Sequence, residues 1–268
     1  MPEFRARIAA LAWPVSGLLF LVLLWQVVTQ AGIVPGFLLP SPGAVLRALL
    51  RAAGEGTLWR HLSPTLTATV TGYVIGCTVA AAMAALIAEF RWVERALMLH
   101  LLALQSIPKV SVAPLVFLWA GFDIGGKVVL VALICFFPVF ANTLAGLRAT
   151  DADRLDLLRA AGASRWHVLW HLKLPSAARS MFAGLEISTA FALIGCVVME
   201  FIGATRGMGF LIQDASSTYD LPLSFAAIVT LGGIGLLANA GVRLLRRRLL
   251  FWELEAEPGP PTPGAAGG

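Results

Sequence analysis

Three side chains stand where charge is expensive. Lys109 lies between Pro108 and Pro114 in an otherwise uncharged apolar run, and Glu186 and Glu200 lie within or at the ends of another. An ionised group at the centre of a hydrocarbon layer costs at least ~2.5–3.5 kcal/mol, so such groups face a bundle interior or a wet cavity, or pair with one another. A lysine and two glutamates so placed could carry an anionic or polar solute across a membrane, or relay ions or protons. The plainer alternatives are helix–helix pairing for Glu186, and for Lys109 a bond to the carbonyls that the two prolines release. Glu89, at the end of a further apolar run, reads as a snorkelling or paired group.

Other chemistry-bearing patterns fall short. Residues 121–127 read G-x-x-x-x-G-K, but Val128 replaces the Ser or Thr that a phosphate loop needs for Mg²⁺, and no strand precedes it. Gly207-Met208-Gly209 is a turn without a βαβ context. His167 and His171 have metal-ligand spacing, yet no Glu between them and no third ligand nearby, so a solvated helix face outweighs zinc. Cys77, Cys135 and Cys196 all lie in apolar runs, which argues against a disulfide framework or thiolate cage. No Ser/His/Asp arrangement is visible. The chain is read as having no catalytic, cofactor-binding or metal site of its own.

The elements that carry these residues are set by composition. Hydrophobic residues make up 58% of the 268, and charged ones only 13%, against about 25% charged in a soluble globular chain. Residues 65–88, 128–147 and 221–242 contain no Asp, Glu, Lys or Arg, and about 20 apolar residues suffice to span a bilayer as a helix. Six spans emerge: 11–30, 65–88, 97–119, 128–147, 183–202 and 225–245. Backbone amides in lipid must be satisfied internally, and the alternation of a β-barrel is absent, so the fold class is all-α and polytopic. The run 11–30 lacks a small-residue cleavage site and is read as a retained span.

Orientation follows from Lys and Arg in the loops. One side collects fourteen and the other five, with Lys109 inside a span. Both termini are therefore expected in the cytoplasm. The net charge of +5 sits in those loops and is not a nucleic-acid signal.

Two loops hold structure of their own. On the outer side Ser41 is a natural N-cap and Pro42 suits the first turn, so a short helix starts there, with Val45, Leu46, Leu49 and Leu50 as an apolar face lying on the outer leaflet. On the inner side, about 148–178, the segment is too polar to cross a membrane. It reads as two short helices joined at Gly162 and Ala163, with Ser164 capping the second, which ends before Pro175. Local physics leaves open whether this hairpin docks into a partner's groove or lies on the surface unpartnered. The tail 253–268, rich in Pro, Gly and Ala, is expected to be disordered, which leaves 1–252 as the membrane domain.

The inner loop resembles the "EAA" loop of ABC importer permeases. Asp156 stands six residues before Gly162, and Leu172, Leu174 and Pro175 stand ten, twelve and thirteen after it. The departures are Asp156 for Glu, and Leu157 and Leu158 for two alanines. Further stretches resemble the sulfonate, taurine, nitrate and pyrimidine-precursor branch: Leu39-Pro40-Ser41-Pro42, Ser106-Ile107-Pro108-Lys109-Val110, Ala113-Pro114-Leu115, Trp119-Ala120-Gly121-Phe122, Phe136-Phe137-Pro138, Asn142-Thr143, Gly146-Leu147-Arg148, Glu200, Gly207 and Gly209. Glu186, where much of the branch carries Arg or Lys, departs from it, and so does Arg179, where a proline is common.

The resemblance implies the type I importer permease fold of about six transmembrane helices in a bacterial inner membrane. It implies an ATPase on the cytoplasmic side that binds ATP and Mg²⁺ and receives Asp156, Ala160, Ala161, Gly162, Leu172, Leu174 and Pro175. It further implies a periplasmic or lipid-anchored substrate-binding protein outside, a second permease copy, and a small organic anion or heterocycle as cargo. Lys109, Glu200 and Glu186 become candidates for the pathway. The rival reading is a self-sufficient secondary transporter or channel that uses those same three residues.

Overall fold

The computed structural model describes residues 2–121 and 123–251, and these form helices and turns with no strand among them. In chain order the helices are α1 (Pro2–Gln30), α2 (Pro42–Gly54), α3 (Thr57–Glu89), α4 (Arg91–Ser106), α5 (Ala113–Ala120) and α6 (Ile124–Arg148). They continue as α7 (Ala152–Ala160), α8 (Arg165–Val168), α9 (Leu174–Gly203), α10 (Met208–Ser217) and α11 (Leu221–Leu249). The tail 253–268 lies outside the described residues.

Four helical runs are long and apolar enough to cross a membrane: α3, α6, Arg165–Gly203 and α11. The first expected span falls within α1, whose described apolar part is Ser16–Gln30. The third expected span is not one helix. Arg91–Ser106 and Lys109–Ala120 meet at 91°, because Pro108 has no N–H to continue the ladder and forces Ile107 into extended geometry (φ −75°, ψ 128°). Pro114 then sits in the first turn of α5, where a missing N–H costs nothing.

The core is a three-helix sandwich with α6 at its centre. Val131, Cys135 and Val139 of α6 are fully buried against Ala80 and Ala84 of α3 and Ala192 and Cys196 of α9. The approach is close because α3 is small along one face: a Cβ on Gly76 would lie 2.5 Å from the Ala132 carbonyl oxygen. In lipid there is no hydrophobic drive between helices, so backbone contact at small residues supplies the packing. The outward faces stay apolar and exposed, with Leu18 to Leu24 on α1 and Leu236 and Leu237 on α11, the pattern of a lipid-facing surface rather than a water-facing one.

Helix α2 begins as expected, with the Ser41 side chain accepting the Ala44 N–H at 3.3 Å. Its inner face is Val45, Ala48 and Ala52, packed with Trp25 and with Phe225 and Ala226 of α11, while Leu46 and Leu50 point away. The helix therefore docks on the bundle through a narrower face than its leucines suggest.

The inner-loop hairpin takes the expected form up to Ser164 and departs after it. Ser164 caps α8 by accepting from the His167 N–H at 3.2 Å. The second helix does not end before Pro175. It passes through a π turn, Leu169–Lys173, straight into α9. Pro175 lacks the N–H that would bond the carbonyl of His171, and the widened turn absorbs that loss without breaking the axis.

Candidate functional site

At the hairpin end of the bundle, α7 closes in a Schellman turn. Gly162 (φ +79°) donates to the Arg159 carbonyl and Ala163 to the Leu158 carbonyl, both at 3.0 Å. This presents Asp156, Leu157, Ala160, Ala161 and Gly162 together as an exposed face, with Asp156 3.5 Å from Arg159. No atom would lie within 4 Å of a Cβ on Gly162, so within this chain the glycine answers to its φ and not to crowding. Leu172, Leu174 and Pro175 are half-buried where the hairpin joins the bundle. Lys173 pairs with Glu89 at the end of α3, both largely buried, and Arg148 pairs with Glu94 of α4. The first pair ties the hairpin stem to α3, and the second ties the end of α6 to α4. His167 and His171 stack on each other, ring centroids 4.1 Å apart.

The three intramembrane charges do not converge. Lys109 sits at the α4–α5 break, its Nζ donating to the Gln105 carbonyl at 3.1 Å and lying 4.7 Å over the Phe137 ring. A cavity of about 200 Å³ opens beside it, lined by Gln105, Lys109, Ile134, Phe137, Ala141 and Phe191 among others. Glu186 lies elsewhere, on the α9–α11 contact, where its carboxylate accepts from Arg246 at 3.0 Å and its carbonyl accepts from Asn239 at 3.2 Å.

Glu200 is not among the residues that line the cavity beside Lys109. It is fully buried at the opposite end of the bundle from the hairpin. Its Oε1 accepts from Lys127 Nζ at 2.9 Å and Thr65 Oγ1 at 2.8 Å, and its Oε2 accepts from the Gly209 N–H at 2.8 Å. Lys127 also donates to the Arg206 carbonyl at 2.9 Å, Thr65 Oγ1 accepts from the Met208 N–H at 2.8 Å, and His61 Nδ1 lies 3.2 Å from the Gly207 carbonyl oxygen. The pair thus locks the 204–209 loop onto α3, α6 and α9. Gly207 (φ +138°) is required twice over, since a Cβ there would lie 2.1 Å from the Glu200 carboxyl carbon.

Lys127, the last residue of the G-x-x-x-x-G-K run, is the partner sequence reasoning missed. Its only signal is that it abuts an apolar run, and its partners lie 73 and 79 residues away. A buried carboxylate and a buried amine need partners and hydrogen bonds in place of water. These four-sided contacts meet that condition.

The described residues thus form a polytopic helical bundle with a bent span, a cavity at the bend and an exposed hairpin. Residues 72–251 match the family described as "Binding-protein-dependent transport system inner membrane component", and the chain belongs to that family. It is similar to the riboflavin transport system permease protein RibX of Chloroflexus aurantiacus, 39% identical over 245 residues that cover 90% of this chain and 91% of the relative. It is also similar to the formylaminopyrimidine transport permease protein ThiX of Halalkalibacterium halodurans (31% identical, 89% and 95% covered). A third relative is the taurine transport system permease protein TauC of Escherichia coli (30% identical, 91% and 94% covered). The chain is thus the translocation subunit of an ABC importer, an inner-membrane permease of the sulfonate, taurine and pyrimidine-precursor branch.

Proposed function

We propose that this permease couples ATP hydrolysis by a separate ATPase to solute passage through the exposed hairpin 148–178, with Asp156, Ala160, Ala161 and Gly162 seated in the ATPase and Leu172, Leu174 and Pro175 forming the stem. The observation that carries the reading is the hairpin itself: a Schellman-closed helix end, exposed on its Asp156–Gly162 face, yet fused to α9 through a continuous helix. A push on such a face is transmitted along Arg165–Gly203 as a rigid body, the kind of two-state movement that alternating access needs. ATP and Mg²⁺ are held by the ATPase. A binding protein delivers solute outside, and two copies of the chain enclose the route. The cargo is a small organic anion or heterocycle. Co-purification with an ATPase, and loss of uptake when the Walker-A lysine of that ATPase is replaced, test this directly.

The ion-relay alternative loses ground because Glu200 and Glu186 are each neutralised by a basic partner at 2.9 and 3.0 Å and lie apart from Lys109. Lys109 stays in the reading as a pathway group. Lys109→Met keeps most of the volume and removes the charge, so uptake should change while abundance and ATPase assembly stay normal. Poor accumulation would assign Lys109 to holding the bend through Gln105 instead, and wild-type uptake with wild-type abundance rejects both roles.

The hairpin and both termini are assigned to the cytoplasm on the loop-charge asymmetry. Cysteines at Ser164 and Ala53, both exposed positions, give the test. The native Cys77, Cys135 and Cys196 are buried and leave little background. An impermeant thiol reagent on intact cells should label position 53 alone, and labelling at 164 inverts the topology.

A further inference from the structure

We propose that the cavity at the α4–α5 break is a solute-binding site for a small planar ring carrying one negative charge, with the Lys109 ammonium reading charge and the exposed Phe191 ring reading flatness. It rests on the transport reading above and adds the chemical class of what the pathway holds.

The place is the first reason. Interrupted membrane helices are tolerated where they line a cavity, and a Gly- or Pro-interrupted apolar segment points to a binding site in a transporter bundle. Here the break bends the span by 91° and a cavity of about 200 Å³ lies against it. An apolar cavity of about 150 Å³ takes up benzene, so this volume suits one ring with a small substituent.

Charge is the second. Lys127, Glu186, Glu200 and Glu89 each have an ion-pair partner. Among the described residues no carboxylate lies within 4.0 Å of Lys109, and its one hydrogen bond goes to the Gln105 carbonyl. An ammonium has three donors, so it retains both net charge and donors for a solute. Cations are repelled by the same group.

Shape is the third. The Lys109 ammonium stands over the Phe137 ring, and Phe137 is braced edge-on by Phe136 (5.1 Å, 83°), which stacks on Phe140 (5.5 Å, 8°). Phe137 is itself buried, so it serves to hold Lys109 at the cavity. Phe191 of α9 lines the same cavity and is 40% exposed, while Ala141 leaves room between. Flat aromatic faces pack better against a flat ring than against a puckered one, and carboxylate or an ionised ring amide would meet the ammonium equally well.

Saturation-transfer NMR on the full-length permease in nanodiscs tests the class, with benzoate, cyclohexanecarboxylate and benzamide as probes. Benzoate should show ring-proton saturation about fivefold above the other two, from charge and ring packing together. Lys109→Met should drop benzoate to the benzamide level, and Lys109→Arg should retain most of the preference. Ala141→Leu, which fills the cavity and leaves the charge, should abolish the benzoate signal. Equal signals for benzoate and cyclohexanecarboxylate, or a benzoate signal unmoved by both Lys109→Met and Ala141→Leu, overturn the proposal. The readout needs no ATPase, so a permease that binds benzoate but recruits no ATPase sinks the coupling reading alone. One that imports with its ATPase and shows no planar-anion preference sinks this inference alone.

Discussion

Glu200→Ala is expected to abolish accumulation of the folded permease. The substitution leaves Lys127, 6% exposed, with its charge buried and unanswered. Breaking a buried ion pair from one side costs about 3–5 kcal/mol, a large fraction of the 5–15 kcal/mol that typically separates folded from unfolded states. It also strands the Gly209 amide that Glu200 now satisfies, while the Thr65 hydroxyl keeps the His61 carbonyl as its acceptor. Glu200→Gln should fare little better, because the amide still leaves Lys127 uncompensated. Removing both charges separates pairing from any transport chemistry. Glu200→Leu combined with Lys127→Met should recover much of the abundance, as apolar replacement of a whole buried pair is often neutral or stabilising. Fluorescence-detected gel filtration and a melting curve in detergent supply the measurement. Wild-type melting of Glu200→Ala would falsify the clamp.

Gly162→Val should lower ATP-driven uptake more than about tenfold while abundance holds, since a β-branched residue at positive φ is a severe outlier that opens the Schellman turn. The bonds at stake are those from Gly162 and Ala163 to the end of α7. They lie at the exposed tip, away from the bundle core, which is why folding should survive. Gly162→Asn refines the result, because asparagine tolerates the left-handed region. Retained uptake with Asn means that the turn's conformation is what coupling needs. Lost uptake with Asn means that the ATPase approaches the glycine too closely for any side chain. Normal uptake for Gly162→Val, with the ATPase still attached, removes the hairpin from the coupling role.

How the clamp and the hairpin differ in legibility follows from range. The hairpin is local: the cap at Ser164, the positive φ at Gly162 and the spacing to Pro175 all fall within one short segment, so turn chemistry alone gave its shape. Its exit did not follow, because Pro175 reads as a stop unless the π turn before it is seen. The bend at Pro108 did not follow either, since hydropathy sums across a break that it cannot detect. The clamp joins residues 65, 127, 200 and 209, from four separate elements.

By itself the sequence determined that this chain is an all-helical membrane protein with several spans, and that residues 148–178 hold a short helical hairpin. Lipid permits so few ways to satisfy a backbone that length and hydropathy suffice. Only the tertiary structure decided which buried charges answer one another. Lys109, Glu200 and Glu186 each look functional in a one-dimensional reading, because any charge in an apolar stretch does, whereas Lys127, at the edge of one, does not. Packing brought Lys127 to Glu200 and Arg246 to Glu186 and left Lys109 facing a cavity. The cost of an unpaired buried charge is the same for all of them. What differs is the neighbour that three-dimensional packing supplies.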